Sequence, residues 1–324
     1  MRKFLIILMS VCSCAYACAQ GAYINKVYEY RPAPGQFINT LPEYESGDTE
    51  ADMIRKVEEK IVGQVGSTNY VCLGAWGGYV TFGFDHHLAN VSGEYDLLVY
   101  GNAFKSGSEQ NGIQLGSPEP GIIYVSWDEN GDGLPNDTWY EIAGSMATEA
   151  NRSYELSYLN AGAEEDVPWT DNQGGSGYVY RNQFHSQPYF PLWYADNKAQ
   201  FSGTILPPNL TENGRAYMYE YGYADNWPND DDRAKIKLDW AIDADGQPAN
   251  LKYVDFVRVQ TGVLVDWGVS GEMSTEVCGA EDLHPNAVSL PHTKAAKAAK
   301  VLRDGLLLIV KEDKEYDILG NRIR

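Results

Sequence analysis

Positive charge is what this sequence lacks most. Its 324 residues carry 25 Lys and Arg against 45 Asp and Glu, a formal net charge of -20 at pH 7. Such a chain has no field to gather phosphate backbones, which argues against general nucleic-acid binding. Anionic membrane surfaces repel it for the same reason. Long apolar runs are missing beyond the first residues; no later stretch reaches the about 18 apolar residues that mark a membrane-spanning helix. Histidine is scarce, at positions 86, 87, 185, 284 and 292, with no H-x-H or HExxH spacing to bind zinc. His86 and His87 are adjacent, and neighbouring strand residues face opposite sides, so one packed and one exposed ring are expected. No G-x-S-x-G motif occurs, and no body cysteine sits near a histidine in a nucleophile pattern, so no catalytic residue is assigned. Acids are plentiful enough for a glycosidase-type pair, but nothing selects one. Repeats of 20–50 residues are absent, which argues against a propeller or solenoid.

Cysteine is also rare, and its placement is informative. Three of the five cysteines, at 12, 14 and 18, fall in the opening MRKFLIILMSVCSCAYACA. There Arg2 and Lys3 precede an apolar run from Phe4 to Val11 and then small residues, the pattern of an export signal over 1–19. Two cuts fit: after Ala19, or before Cys18, which would then carry lipid. Secretion or display on the outer membrane's extracellular face is therefore expected. Cys72 and Cys278 remain. In an oxidising compartment a disulfide between them would close a loop of about 200 residues and contribute roughly 4–5 kcal/mol in the chain-entropy model. The alternative is two buried, unpaired thiols acting as small apolar groups.

What the sequence does contain is core-forming material. Hydrophobic residues make up 44% and aromatics 12%, too much for a disordered chain. Short runs rich in Val, Ile, Tyr, Phe and Trp alternate with Gly, Asn, Asp and Pro clusters. They include Tyr79–Phe84, Tyr95–Tyr100, Gly121–Trp127, Trp139–Ile142, Ser153–Tyr158, Ala234–Ile242 and Tyr253–Val259. In Ala234–Ile242, Ile236, Leu238 and Trp240 share one face of the expected strand, opposite Lys235, Lys237 and Asp239. The expectation is an all-β antiparallel β-sandwich over 20–290, with long loops and one short helix. That helix is Thr49 to Ile61, where Met53, Ile54, Val57 and Ile61 line one side.

The last residues differ. His292–Lys300 (HTKAAKAAK) reads as a basic linker over 291–300, followed by a tail, 301–324, with two short strands around Glu312-Asp313-Lys314. Residues 291–324 hold 8 basic and 5 acidic residues, while 20–290 carry a net of -25, a charge break that marks a boundary.

One motif points to metal chemistry. Asp128-Glu129-Asn130-Gly131-Asp132-Gly133-Leu134-Pro135-Asn136-Asp137 matches the opening of a calcium loop, D-x-[DN]-x-[DN]-G. Ca²⁺ takes six to eight oxygens at about 2.3–2.6 Å, and alternate residues of a tight turn point inward. The expected ligands are Asp128, Asn130, Asp132, the Leu134 carbonyl and Asp137, with Glu141 a weaker substitute. Trp139 stands where an EF-hand has its Glu, and Pro135 blocks a following helix. The competing interpretation is an Asx-rich turn without metal. A weaker candidate is formed by Asn229–Asp232 and Asp243–Gly246, which also fit solvated turns.

All 8 tryptophans lie between 76 and 267. Trp76, Trp193, Tyr194, Trp227 and Trp267 are the candidate ligand-binding aromatics, because rings on loops make platforms for sugars or flat macrocycles. The alternative is core packing beneath long loops.

Several runs, in order, resemble a family of exported surface proteins of Gram-negative gut commensals. They are Tyr30–Gln36 (YRPAPGQ), Leu73–Tyr79 (LGAWGGY), Gly83–His86, Gly101–Phe104, Glu119–Gly121, the aspartate loop through Glu141, Gly222–Asn226, Ser274–Val277 and Gly279–Leu283. The resemblance implies a jelly-roll sandwich and, from relatives associated with outer-membrane vitamin B12 capture, ligand binding. Val301–Arg324 resembles a shortened sorting tail of type IX secretion cargo. Together these expectations describe a calcium-stabilised surface protein that captures an extracellular small molecule, a corrinoid first and a glycan second. Its partners would be uptake or secretion machinery of the outer membrane. A secreted glycoside hydrolase and an adhesin are the competing classes.

Overall fold

The computed structural model describes residues 21–287 and, in the tail, 298–303, 306–311, 314–316 and 322–323. The expected export signal, 1–19, and residues 291–297 of the expected linker lie outside the described residues. The chain divides into two compact units, with the boundary between Ser289 and Leu290.

The first unit is all-β and sandwich-like. Its main elements are β1 (Lys26–Arg31), α1 (Glu50–Ile61), β2 (Tyr79–Ala89), β3 (Gly121–Ser126), β4 (Tyr140–Ile142), β5 (Asn151–Leu159), β6 (Val167–Asp171), β7 (Ser176–Val179), β8 (Lys198–Ile205), β9 (Ala241–Ile242) and β10 (Tyr253–Thr261). A six-stranded antiparallel sheet runs β1-β2-β10-β3-β4-β9, and a four-stranded one runs β7-β6-β5-β8. Shorter pairings, such as Val71–Cys72 with Glu276–Val277, and Leu97–Tyr100 with Gly279–Asp282, complete the unit.

Strand periodicity divides the large sheet into an apolar and a polar face. Tyr30, Val80, Val259 and Ile123 lie side by side across four strands, all fully buried. One residue along, on the opposite face, the same strands place Glu29, Thr81, Arg258 and Tyr124 in a row that continues to Glu141 on β4. Two residues further along this face, Arg31, Tyr79 and Gln260 form a second row. The apolar face packs on α1, whose Met53, Val57 and Ile61 are buried, as the spacing predicts. Thr49 caps that helix: its Oγ1 accepts from the Asp52 amide, and Asp52 accepts from the Thr49 amide.

The expected strand Ala234–Ile242 is a correction. It is broken into Lys235–Ile236, a 3-10 turn Leu238–Trp240 and β9. The apolar alternation survives in burial, with Ile236 and Leu238 inside. The buried Asp96 carboxylate accepts the Leu238 amide, satisfying that amide through a side chain in place of a neighbouring strand.

The second unit contains a three-stranded antiparallel sheet, Ala298–Arg303, Leu306–Lys311 and Lys314–Tyr316. Two strands were expected there. Ala298–Lys300, expected in the linker, instead pair with Lys311–Ile309.

Candidate functional site

A cleft with a volume of about 470 Å³ lies over the polar face of the large sheet of the first unit. Its size falls within the range of small-molecule sites, about 300–1,000 Å³. Arg31, Tyr79, Arg258, Gln260, Tyr124 and Glu141 line it from the sheet; Arg152 and Ser153 of β5 and Gln200–Thr204 of β8 line it from the second sheet. Register alone puts the first six residues together. Gly203 is required where the sheets meet, since a Cβ there would sit 2.4 Å from Gln260 Oε1 and 2.9 Å from the Tyr124 hydroxyl.

Hydrogen bonds hold the lining in place. Arg258 donates from Nε to Thr81 Oγ1 at 3.0 Å and from Nη2 to Glu29 Oε2 at 2.7 Å. Its guanidinium lies 4.4 Å from the Tyr79 ring centroid and 4.3 Å from that of Trp139. Gln260 Nε2 donates to the carbonyls of Gly77 and Ser202. Glu141 is buried; Thr204 Oγ1 donates to it, and Arg152 Nε lies 3.6 Å from its Oε1. Burial raises the Glu141 pKa, against the lowering effects of Thr204 and Arg152. The Tyr124 hydroxyl, which accepts the Thr204 amide, is pushed up to about 12 by burial and by Glu141. The cleft is thus a rigid, half-dry surface with aromatic faces and fixed donors.

A second polar construction is acidic. Glu119, Asp225 and Glu276 bring carboxylate oxygens within 4.8 Å of one another. Asp225 Oδ1 accepts from the amides of Asn102 and Ala103, both at 2.8 Å, and Oδ2 from the Glu276 amide at 2.9 Å. Glycine at 101 makes room: a Cβ there would lie 2.3 Å from Asp225 Oδ1. Glu119 and Glu276 share a hydrogen bond, and Cys72 bonds Glu276. Burial raises all three acids, Asp225 to about 8, and their mutual repulsion raises Asp225 and Glu276 further. Glu119 and Glu276 line a small cavity of about 200 Å³ with Gln36 and Trp267. This trio offers either shared protons or a hard-cation site.

The five residues of the expected calcium site sit in one exposed loop. Their oxygens are taken up by the loop itself. Asp128 accepts the amides of Gly131, Asp132 and Gly133; Asn130 accepts that of Asp132; and Asp132 accepts that of Leu134. The Leu134 carbonyl accepts the Asn136 amide, and Asp137 accepts that of Glu129. This is the geometry of an Asx-rich turn, with donor chemistry that still suits calcium. The weaker acidic candidate is tied to cations and turns: Asp231 pairs with Lys105 and Arg233, and Asp243 accepts the amides of Asp245 and Gln247.

The expected aromatic platform is a correction. Trp76 and Trp227 are buried, with indole N–H groups donating to the carbonyls of Thr204 and Tyr219. Trp193 stacks against Tyr30 and Tyr44, the Tyr194 hydroxyl donates to Pro32, and Trp267 donates to Gly214. The five are spread over four packing clusters, because loop aromatics here cover core beneath them.

The expected disulfide is likewise corrected. Cys72 and Cys278 are buried free thiols. Cys72 pairs with Glu276 across the ladder, so Cys278 lies one diagonal step away. Such a step spans about 7–8 Å, beyond the usual Cα separation of about 4.4–6.8 Å for a disulfide.

His86 is packed between Asp85 and Asp282, at 2.7 Å from each, while the His87 side chain is 55% exposed and bonded to Asp255. Of the cleft residues only Glu141 was a sequence candidate, as a weaker calcium ligand, and it faces Thr204 and Arg152 in the cleft; for the rest the alternation Val257-Arg258-Val259-Gln260 carries the signal. No protein-family model matches this chain, and no curated protein matches it.

Proposed function

We propose that this protein is an exported ligand-binding protein whose ligand sits in the cleft over the polar face of the large sheet. The observation that carries the reading is the cleft itself: about 470 Å³, with aromatic faces, amides and guanidinium groups fixed by sheet register. A corrinoid is the first ligand class and a glycan the second. Both present flat or ring-shaped faces for Trp139 and Tyr79, together with many polar groups for the side chains around them. Capture at the cell surface fits the export signal over 1–19, the charge break before the tail and the resemblance of nine segments to surface proteins. In this reading calcium at Asp128–Asp137 stiffens the turn between β3 and β4 and takes no part in ligand contact.

Titration of the chain from residue 20 to 324 with cyanocobalamin and a glycan panel tests the proposal. Saturable binding at micromolar concentrations without turnover is expected. The absence of binding by every probe contradicts it.

A second reading, hydrolysis, draws on the half-buried Glu119 and the buried Glu276, carboxyls that share a hydrogen bond beside a small cavity. Neighbouring acids with raised pKa values are a pattern of general acid sites. Product formation from any glycan of the panel, lost in Glu276→Gln, favours this reading over capture.

A further inference from the structure

Arg31, Arg152 and Arg258 converge on one cleft in a chain of net charge -20. Their commitments differ. Arg258 is held by Glu29 and Thr81 and flanked by two rings. Arg152 faces Glu141 at 3.6 Å, and its Nε has no hydrogen-bond partner. Arg31 is half-buried and has no carboxylate partner among the described residues; its contacts are the rings of Tyr194 and Phe201, at 5.3 and 5.8 Å from their centroids. A guanidinium resting on rings keeps its charge and its five in-plane N–H donors, a fork that matches carboxylate and phosphate oxygens. Against these three cations the lining supplies only Glu141, engaged by Thr204 and Arg152, and Asp243, whose Oδ1 accepts two turn amides. Arg31 is therefore the guanidinium of the cleft left without a carboxylate partner among the described residues.

Resting on the ligand-binding reading above, we propose that the ligand carries an oxyanion, a carboxylate or a phosphodiester, received by Arg31 and its neighbouring guanidinium groups. Arg31 on β1 and Arg258 on β10 stand two strand spacings apart, about 10 Å. The ligand thus lies across the strands, with its charged group toward the β1 edge. The acidic remainder of the surface disfavours long polyanions, so the ligand is small or an oligomer with few charges. Neutral contacts along the ligand fall to Gln200, Gln260 and Trp139.

Two pairs of probes separate the sources of the charge, with Arg31→Gln as the control for their other differences. Cyanocobalamin contains a nucleotide with a phosphodiester that cobinamide lacks; trigalacturonate contains carboxylates that maltotriose lacks. Calorimetric titration of the chain from residue 20 to 324 is expected to favour the charged member of one pair by about tenfold or more, the size of a charge-assisted hydrogen bond. That preference should shrink with added salt and disappear in Arg31→Gln, with an unchanged melting temperature. Arg55→Gln, on the exposed side of α1, should leave it intact. Equal affinity within both pairs, or a preference that survives Arg31→Gln, overturns the oxyanion proposal and leaves the cleft reading standing. If none of the four probes binds, both fall.

Discussion

The cleft and the acid trio are two polar constructions in the same unit, and they manage charge in opposite ways. In the cleft, carboxylates meet guanidinium groups: Glu29 with Arg258 and Glu141 with Arg152. Those pairs leave Arg31, which has no carboxylate partner among the described residues, as the cation free to meet a ligand. In the trio, carboxyls meet one another and backbone amides, and burial raises their pKa values. The same residue types thus give a recognition surface in one place and a proton-holding joint in the other. The difference lies in whether the opposing charge is present.

Removing the joint's centre should have the largest effect. In Asp225→Ala the amides of Asn102, Ala103 and Glu276 lose their acceptor in a buried setting. At about 1–3 kcal/mol per stranded donor, a loss of at least about 3 kcal/mol is expected, read as a lower midpoint in urea unfolding. Asp225→Asn, which keeps one acceptor oxygen, should lose less. A pair of variants as stable as the parent would remove the trio from the account.

The pH response is next. Asp225 of the trio and Glu272, a separate buried acid whose Oε1 accepts the Gln36 amide, are pushed up to about 8 from 3.8 and 4.5, chiefly by burial. The folded chain therefore holds protons that the unfolded chain has released between about pH 4 and pH 8. Stability must then fall as pH rises through that window. Melting scans should show a drop of several degrees from pH 5 to pH 8, and Glu119→Gln, which removes the carboxylate that repels both groups, should flatten it. A transition that rises or holds level over that interval in the parent contradicts the picture of unpaired buried acids.

On the cleft side, Arg258→Met removes the partner of Glu29 and the cation between Tyr79 and Trp139. A cost of about 1–2 kcal/mol is expected, since two ring contacts and one partly buried ion pair contribute modestly. Chemical denaturation would measure it.

The smallest effect belongs to the exposed aspartate loop, where backbone amides of the loop already occupy the carboxylates. Added calcium should raise the melting temperature by a few degrees, by mass action on the folded state. Asp132→Ala should abolish that response, and a chelator should leave the variant unchanged.

These contrasts also explain what was legible in the sequence. Helix α1 was visible because Met53, Val57 and Ile61 repeat at helical spacing behind a capping Thr49. The longer strands were visible because Val257 and Val259 alternate with Arg258 and Gln260. The calcium-like loop was visible because its donors are local. The cleft was not, because it depends on which strands pair: Arg31, Tyr79 and Gln260 are far apart in sequence and meet through the β1-β2-β10 register. The trio was hidden for the same reason, although Glu119, Asp225 and Glu276 each fall within segments carrying the family resemblance. The aromatic platform failed because a tryptophan in a Gly- and Asp-rich stretch looks the same whether it faces solvent or, like Trp227, the core.

The central claim is that the cleft holds the ligand, and a plug tests it most directly. Ser202 is exposed on β8 and lines the cleft, so Ser202→Trp fills the space with a residue that strands accept. Titrated with cyanocobalamin and trigalacturonate, the plugged chain should melt like the parent and lose the binding that the parent shows. A plugged chain that binds with the parent's affinity would place the ligand elsewhere and contradict the account.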